Sequence, residues 1–484
     1  MGRAEGYRSF LDHSNNPCPY SHEYFEVKMK NYLELKGKNI VVVGLGVSGY
    51  WAARWLASIG VRVTVSEAKH DRELDPAVLE PLLHMGVKVE TGGHRKDTFE
   101  RADAVIISPG VPHEMDVLDK ARKKGVWVTG ELELASRFIQ APIVAVTGTN
   151  GKSTVTSMIG QALKMGGLNT YVGGNIGTPL SALLAQGLNP DVVVAEVSSF
   201  QLDTIESFCP KVALVLNITR DHLDRYKGFG GYVESKLRIF QNQEEEDCAI
   251  ICDDDPILSA LELPRTRRLL RYGITKKRDR DAYVHQDSIL VRNGKFHKFS
   301  TKHYRLPGIH NMQNLLAVGL TCTFLGVDPE IFQSAIRHFK PLPHRMEWVG
   351  ETNGISFYND SKATNVNAVV RAIEGFERPI ILIAGGRHKG ASYEPLAKVA
   401  KQHIKVAILI GEAAELIEEA LGRVVPCYRV ESMDKAVMEA YRKADPGDIV
   451  LLSPACSSFD MFLDYKDRGE KFKEAVRRIT NGQE

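Results

Sequence analysis

A strand, a glycine-bearing turn and a helix follow one another early in the middle of this chain. Ile143-Val144-Ala145-Val146 runs directly into Thr147-Gly148-Thr149-Asn150-Gly151-Lys152-Ser153-Thr154. A buried strand that feeds a helix through so few residues points to a βαβ unit on a parallel sheet. In such a turn the backbone N–H groups can cradle phosphates, Lys152 can reach β/γ oxygens and Ser153 can hold Mg2+. The first glycine stands closer to the Gly-Lys pair than the common spacing requires. Thr149, Asn150, Gly151, Lys152, Ser153 and Thr154 therefore form a variant phosphate loop.

The same alternation recurs along the 484 residues, a length that fits roughly three domains. Residues 39–43, 61–65 and 104–107 read as strands of a first block. Residues 143–146, 192–195 and 212–216 read as a second, and 380–383, 406–410 and 449–452 as a third. Residues 272–302 alternate short strands with charged turns and suggest a peripheral antiparallel sheet. Gln140-Ala141-Pro142 and Pro341-Leu342-Pro343 mark the junctions. The expected fold is α/β in three domains. Residues 37–140 form a Rossmann-like domain and 141–340 a mononucleotide-binding domain with a small antiparallel sheet. Residues 341–484 form a second Rossmann-like domain. Residues 1–36, polar and without an apolar run, are expected to be a poorly ordered and dispensable extension.

With 62 basic and 60 acidic side chains the formal net charge is +2, which gives no electrostatic case for nucleic acid or an anionic membrane. No stretch is apolar for the ~18 residues of a membrane span, and no signal-peptide pattern opens the chain. Seven scattered cysteines, an odd count, argue for reduced thiols and a cytoplasmic location. Cys248 and Cys252 stand four apart, but no second pair completes a zinc site.

A second glycine turn, Gly44-Leu45-Gly46-Val47-Ser48-Gly49, also follows a strand and opens a helix, with Glu67 about twenty residues on. That layout selects a diphosphate ligand. NAD would satisfy it, and so would a UDP-sugar; tight helix–strand packing alone would also use these glycines. Further along, Glu196 ends a buried strand, and Asp221-His222-Leu223-Asp224-Arg225 follows another. Taken singly, Glu196 reads equally as a cap or ion-pair partner and His222 as a surface histidine. Their place at strand ends in the phosphate-loop block favours a site.

Together these segments resemble the Mur ligase family, which shares its central domain with folylpolyglutamate synthases. The resemblance runs from about Asn39 to Arg477. Its other landmarks are Gly173-Gly174-Asn175-Ile176-Gly177, Glu196-Val197-Ser198-Ser199, Lys236-Leu237-Arg238-Ile239-Phe240, Gly308-Ile309-His310-Asn311-Met312-Gln313-Asn314, Leu342-Pro343-His344-Arg345, Asn359-Asp360-Ser361-Lys362-Ala363-Thr364-Asn365 and Ser453-Pro454-Ala455-Cys456-Ser457-Ser458. The first glycine turn and the Ser453 segment look most like the D-glutamate-adding branch. The motif typical of the diaminopimelate-adding branch is missing.

The resemblance implies an ATP-dependent ligase that converts the carboxylate of UDP-N-acetylmuramoyl-L-alanine to an acyl phosphate and then to an amide of D-glutamate, acting as a monomer. Lys152 would hold the γ-phosphate, and Asn175 would contact the acyl phosphate. Ser153 and Glu196 would hold one Mg2+, and His222 a second. Lys236 would carry a CO2-derived carbamate, because a free ammonium beside Mg2+ is repelled. Asn311, Asn314, Arg345 and Asp360 would complete the ATP site, Asp360 at the ribose. Val47, Ser48, Glu67, Ala68, Lys69 and Ser108, with Asn175 and His222, would bind the UDP-sugar. Glu67 and Lys69 replace the family's Asp and Arg. Lys362, Thr364, Lys389, Ser457, Ser458 and Tyr465 would receive D-glutamate, with Tyr465 in place of a Phe. No general base for the amine stands out. The rival readings are another Mur ligase or a folate polyglutamylase, an NAD-dependent oxidoreductase, and a nucleotide-gated scaffold.

Overall fold

The computed structural model describes residues 34–222, 225–263, 268–304, 306 and 308–481. Residues 1–33 of the expected extension lie outside this set, as do Leu223 and Asp224 of the His222 segment. Three sheets follow one another along the chain.

The first sheet is parallel throughout, in the order Lys88–Glu90, Arg62–Ser66, Asn39–Val43, Ala104–Ile107, Trp127–Gly130. Valine and isoleucine dominate its centre because helices cover both faces. Ile40 and Val42 enter one core while Val41 and Val43 enter the other. The chain leaves Asn39–Val43 on one side and returns on the other, so a crevice opens between that strand and Ala104–Ile107. Gly44 and Ser108 face each other at its mouth, where Ser108 Oγ donates to the Gly44 carbonyl at 3.0 Å. A Cβ on Gly49 would lie 1.9 Å from the Gly44 oxygen. The last glycine of the turn thus lets the helix Val47–Ser58 approach its strand.

The central sheet has nine strands. Thr170–Gly174, Val192–Glu196, Ile143–Thr147, Val212–Val215, Cys248–Cys252 and Arg268–Tyr272 are parallel. The antiparallel strands expected near 272–302 are Ala282–His285, Ser288–Asn293 and Lys295–Ser300. They extend this same sheet through the pair Tyr272↔Ala282. Helix Ile309–Phe324 packs against helix Lys152–Met165, which the phosphate loop opens.

The third sheet runs Glu347–Thr352, Ile355–Asn359, Ile449–Leu452, Ile380–Gly385, Ile404–Ile410, Cys427–Arg429. Its first two strands form an antiparallel hairpin and the rest are parallel. Asn353 and Gly354 both have positive φ, 50° and 75°, the twist a tight hairpin requires.

The first and central sheets are joined by a buried carboxylate. Glu133, 0% exposed, accepts from the backbone N–H groups of Glu206, Ser207 and Phe208 and from the Ser207 hydroxyl and Arg137. Burial opposes its ionisation, yet the Ser207, Glu206 and Arg137 donors hold its pKa below the usual carboxylate range. Glu133→Gln would turn an amide N–H towards these donors, and urea unfolding at pH 7 should show a loss of about 2–4 kcal/mol. A lowered carboxylate pKa stabilises above the unfolded value and ceases to do so as pH falls through the folded one. The gap between variant and wild type should therefore narrow in acid.

Candidate active site

The phosphate loop is held by its own lysine and by neighbouring side chains. Gly151, at φ 88°, caps helix Lys152–Met165, and a Cβ there would lie 2.4 Å from Asn314 Oδ1. Lys152 Nζ turns back to the carbonyls of Gly148 (2.9 Å) and Thr149 (3.0 Å). Lys236 Nζ donates to that same Gly148 oxygen at 2.9 Å, over the Tyr232 ring. Asn217, just past the strand Val212–Val215, holds the loop from the other side. Its Oδ1 accepts from Asn150 N at 2.9 Å and its Nδ2 donates to Asn150 O at 3.0 Å. Thr149 Oγ1 donates to Thr219 O and stands 3.2 Å from the Tyr232 hydroxyl.

Beside the loop, Ser153 Oγ donates to Glu196 Oε2, while Asn175 Nδ2 donates to Glu196 Oε1 at 2.8 Å. Burial raises the Glu196 pKa, but the charges of Lys152 and Arg345 more than offset it and leave the carboxylate ionised. The lysines bear the opposite cost. Burial, with Arg345 adding to it and Glu196 opposing, holds the Lys152 pKa below the ordinary lysine value. Burial and then the nearby Lys152 charge hold the Lys236 pKa well below the ordinary lysine value.

The third sheet reaches this centre through Arg345, whose Nη2 donates to Ser153 Oγ at 2.6 Å. A cleft runs from there between the central and third domains. Asn150, Gly151, Thr154, Asn311, Asn314, Arg345 and Asp360 line it, and so does Lys362, expected on the amino-acid side. Asp360 follows the strand Ile355–Asn359; burial pushes its carboxyl up from 3.8 to about 7 despite donors from Met346 N and Ser453 Oγ. Burial and then the Arg345 charge bring Lys362 down to about 7, its ammonium 3.8 Å from the centre of the Tyr465 ring.

A second, smaller cleft lies beyond. Asp221, His222, Thr364, Asn365, His388 and Lys389 line it. His222, with φ 53°, rests edge-on against Phe200 and 3.8 Å from Asp221 Oδ2. Lys389 Nζ reaches Thr364 Oγ1 at 3.4 Å. Ser457 Oγ donates to Arg387 O, and Ser458 is buried beneath the turn it opens. Arg468, wholly buried, ties these segments together by donating to Ser361 Oγ, Ser361 O and Cys456 O. Among the described residues no three His, Cys, Asp or Glu side chains converge as a metal site. The oxygen donors Ser153 and Glu196 do suit a hard cation.

The first sheet supplies a separate turn. Val47 is 62% exposed at its tip and Ser48 half-buried behind it. Glu67 uses both carboxylate oxygens locally, accepting from Leu45 N at 2.5 Å and Lys69 N at 3.0 Å. Ala68 and Lys69 are exposed. Arg225 links this domain to the central one through the Gly110 and Val111 carbonyls, at 3.3 Å each.

Three family models match in sequence order. They are a Mur ligase MurD-like N-terminal domain at residues 38–130, a Mur ligase middle domain at 146–322 and a Mur ligase glutamate ligase domain at 344–456. The chain belongs to the Mur ligase family. The UDP-N-acetylmuramoylalanine–D-glutamate ligase of Geotalea daltonii is 44% identical over 451 residues, covering 93% of this chain and 99% of that one. The corresponding ligase of Desulfatibacillum aliphaticivorans is 45% identical, with 92% and 100% covered. Among solved structures, the UDP-N-acetylmuramate-alanine ligase of Thermotoga maritima superposes with a TM-score of 0.60 at 20% identity, covering 92% of this chain and 100% of that one. A pseudomurein peptide ligase from Methanothermus fervidus gives 0.59 at 21%, again with 92% and 100% covered. These two likenesses concern the fold alone.

In this Mur ligase the site also includes residues to which the sequence assigns no role: Asn217 and Tyr232 at the phosphate loop, His310 and Arg371 in the wall of the first cleft, Asn365 in the second, and Arg468 beneath the Ser361 and Cys456 segments. Asn217 lies at the carboxyl end of a central strand, a signal that was available. The others depend on contacts between distant segments.

The raised Asp360 pKa has a stability consequence. The folded carboxyl keeps its proton where the unfolded one, near 3.8, has lost it, so wild-type stability should fall as pH rises from there towards about 7. Asp360→Asn mimics the protonated form. Thermal unfolding across that window should show the variant gaining on wild type as pH rises, with no relative gain at lower pH.

Proposed function

We propose that this chain joins D-glutamate to UDP-N-acetylmuramoyl-L-alanine at the expense of ATP, releasing ADP and phosphate in peptidoglycan precursor synthesis. The observation that carries this reading is near-full-length identity of 42–45% with ligases named for that pair of substrates. Loops from all three sheets supply the residues from within one chain, which supports action as a monomer. No helix of the described residues is long and apolar enough to cross a membrane, and a cytoplasmic setting suits ATP and UDP-sugar substrates.

The assigned roles follow the charges. The substrate carboxylate attacks the γ-phosphorus, the bond to the β–γ bridging oxygen breaks, and ADP leaves. The amine of D-glutamate then adds to the acyl carbon, and phosphate departs. Both steps gather negative charge on oxygen, which Lys152 and Arg345 are placed to offset. Asn175 faces the acyl phosphate. Asn311, Asn314 and Asp360 flank the nucleotide, with Thr149, Asn150, Gly151, Ser153 and Thr154 around its phosphates. Ser153 and Glu196 would hold one Mg2+, with His222 and a carbamylated Lys236 serving a second. Mg2+ bound there would neutralise phosphate charge. The buried amine of Lys236, shifted towards its neutral form, is suited to add to CO2 with loss of a proton. The Gly44 turn, with Val47, Ser48, Glu67, Ala68, Lys69 and Ser108, receives the UDP-sugar. Thr364, Lys389, Ser457, Ser458, Tyr465 and Lys362 receive D-glutamate.

Phosphate release should require UDP-N-acetylmuramoyl-L-alanine, ATP, Mg2+ and D-glutamate together. Turnover with L-glutamate or L-alanine and none with D-glutamate would overturn the assignment. Lys236→Ala should be inactive and regain part of its activity with added short carboxylic acids; undiminished activity in that variant would remove the carbamate.

A further inference from the structure

The nucleotide cleft and the amino-acid cleft share a wall. That wall is the helix Val366–Glu374, with Ala368, Arg371 and Ala372 facing the first cleft and Val366 the second. Asn365 caps the helix. Its Oδ1 accepts from Ala368 N at 2.9 Å, which settles the orientation of the amide, so its N–H2 must point the other way. There it meets two acceptors of the central domain. Asn365 Nδ2 lies 3.2 Å from Oδ1 of Asn150 in the phosphate loop and 3.1 Å from Oδ2 of Asp221. The other oxygen of Asp221 accepts from the backbone N–H of His222.

Asn150 lines the nucleotide cleft, whereas Asp221, Thr364 and Asn365 line the amino-acid cleft. One buried amide therefore touches the phosphate loop, the His222 turn and the helix between the clefts, next to Thr364. Apart from Arg345 on Ser153, it is the other side-chain bond by which the third domain grips the phosphate loop among the described residues. Both bonds span the domain junction, so each is made only when the third domain lies against the centre.

We propose that Asn365 is a positioning residue that couples the two clefts. Nucleotide in the phosphate loop fixes Asn150. Asn150 then fixes Asn365 and the start of the helix, which sets Thr364 for the amino acid. This rests on the reading of the second cleft as the D-glutamate site. Coupling of this kind is reciprocal, so D-glutamate must tighten nucleotide binding by the factor with which nucleotide tightens D-glutamate.

Asn365→Asp tests it. The aspartate keeps the helix cap and the side-chain size, but it removes the donor and sets an oxygen against Asp221. Asn365→Ser keeps a cap without adding charge. Each protein, with UDP-N-acetylmuramoyl-L-alanine present, is titrated calorimetrically with a non-hydrolysable ATP analogue, with and without saturating D-glutamate. The ratio of the two affinities is the readout, because a partly misfolded sample lowers the active fraction without changing it. Wild type should gain about 5-fold or more from D-glutamate, and both variants less than 2-fold. Wild type without a gain, or either variant with the wild-type ratio, overturns the proposal. Absence of D-glutamate-dependent phosphate release in wild type would instead overturn the reading on which it rests.

Discussion

One carbonyl oxygen, that of Gly148, accepts from both Lys152 and Lys236. Two lysines aimed at one acceptor in a buried centre are unfavourable unless an anion is due there. Arg345 and Lys389 add to the same field and depress the pKa values of Lys152 and Lys362. Glu196 is the carboxylate placed among them, and its ionisation depends on that surplus. The arrangement is therefore suited to ligand charge, and the central and third sheets bring their loops to it.

This surplus also bears on how the domains come together. The third domain contributes Arg345 and Lys389, which set cations against Lys152. Phosphate charge between them would reverse the sign of that interaction. The first and central domains are joined differently. Glu133 satisfies three consecutive backbone donors across their junction, a bond that needs no ligand. One junction is fixed by a buried carboxylate, whereas the other is held by Arg345 and Asn365 with cations facing each other across it.

What could be read in the sequence follows from the same physics. Strands buried on both faces announce themselves as runs of Val and Ile, and Ala104–Ile107 and Ile449–Leu452 lie where those runs predict. Lys88–Glu90, Glu347–Thr352 and Cys427–Arg429 do not, because they are sheet edges with polar or exposed residues and little apolar signal. Ile355–Asn359 is buried, and the Asn353-Gly354 turn beside it was a readable hairpin signal. Glu196 stood out as a candidate because parallel sheets deliver side chains to that edge, whereas Asp360 rested on the family resemblance. Asn365 and Asn150 stand 215 residues apart, and no local pattern joins them.

The two glycine turns show how far a motif can be taken. Both follow a strand and open a helix, yet their acidic partners have different tasks. In a dinucleotide site the carboxylate about twenty residues on is free to meet a ribose. Here both oxygens of Glu67 are held by the backbone of Leu45 and Lys69, so Glu67 shapes the turn before it touches any ligand. A carboxylate one methylene longer than aspartate can reach across to the glycine turn while still bracing its own loop. The pattern of glycines points to a diphosphate without naming the ligand beyond it. Each Glu67 oxygen keeps a further lone pair, so the carboxylate can brace the turn and still accept from a ligand, beside exposed Ala68 and Lys69.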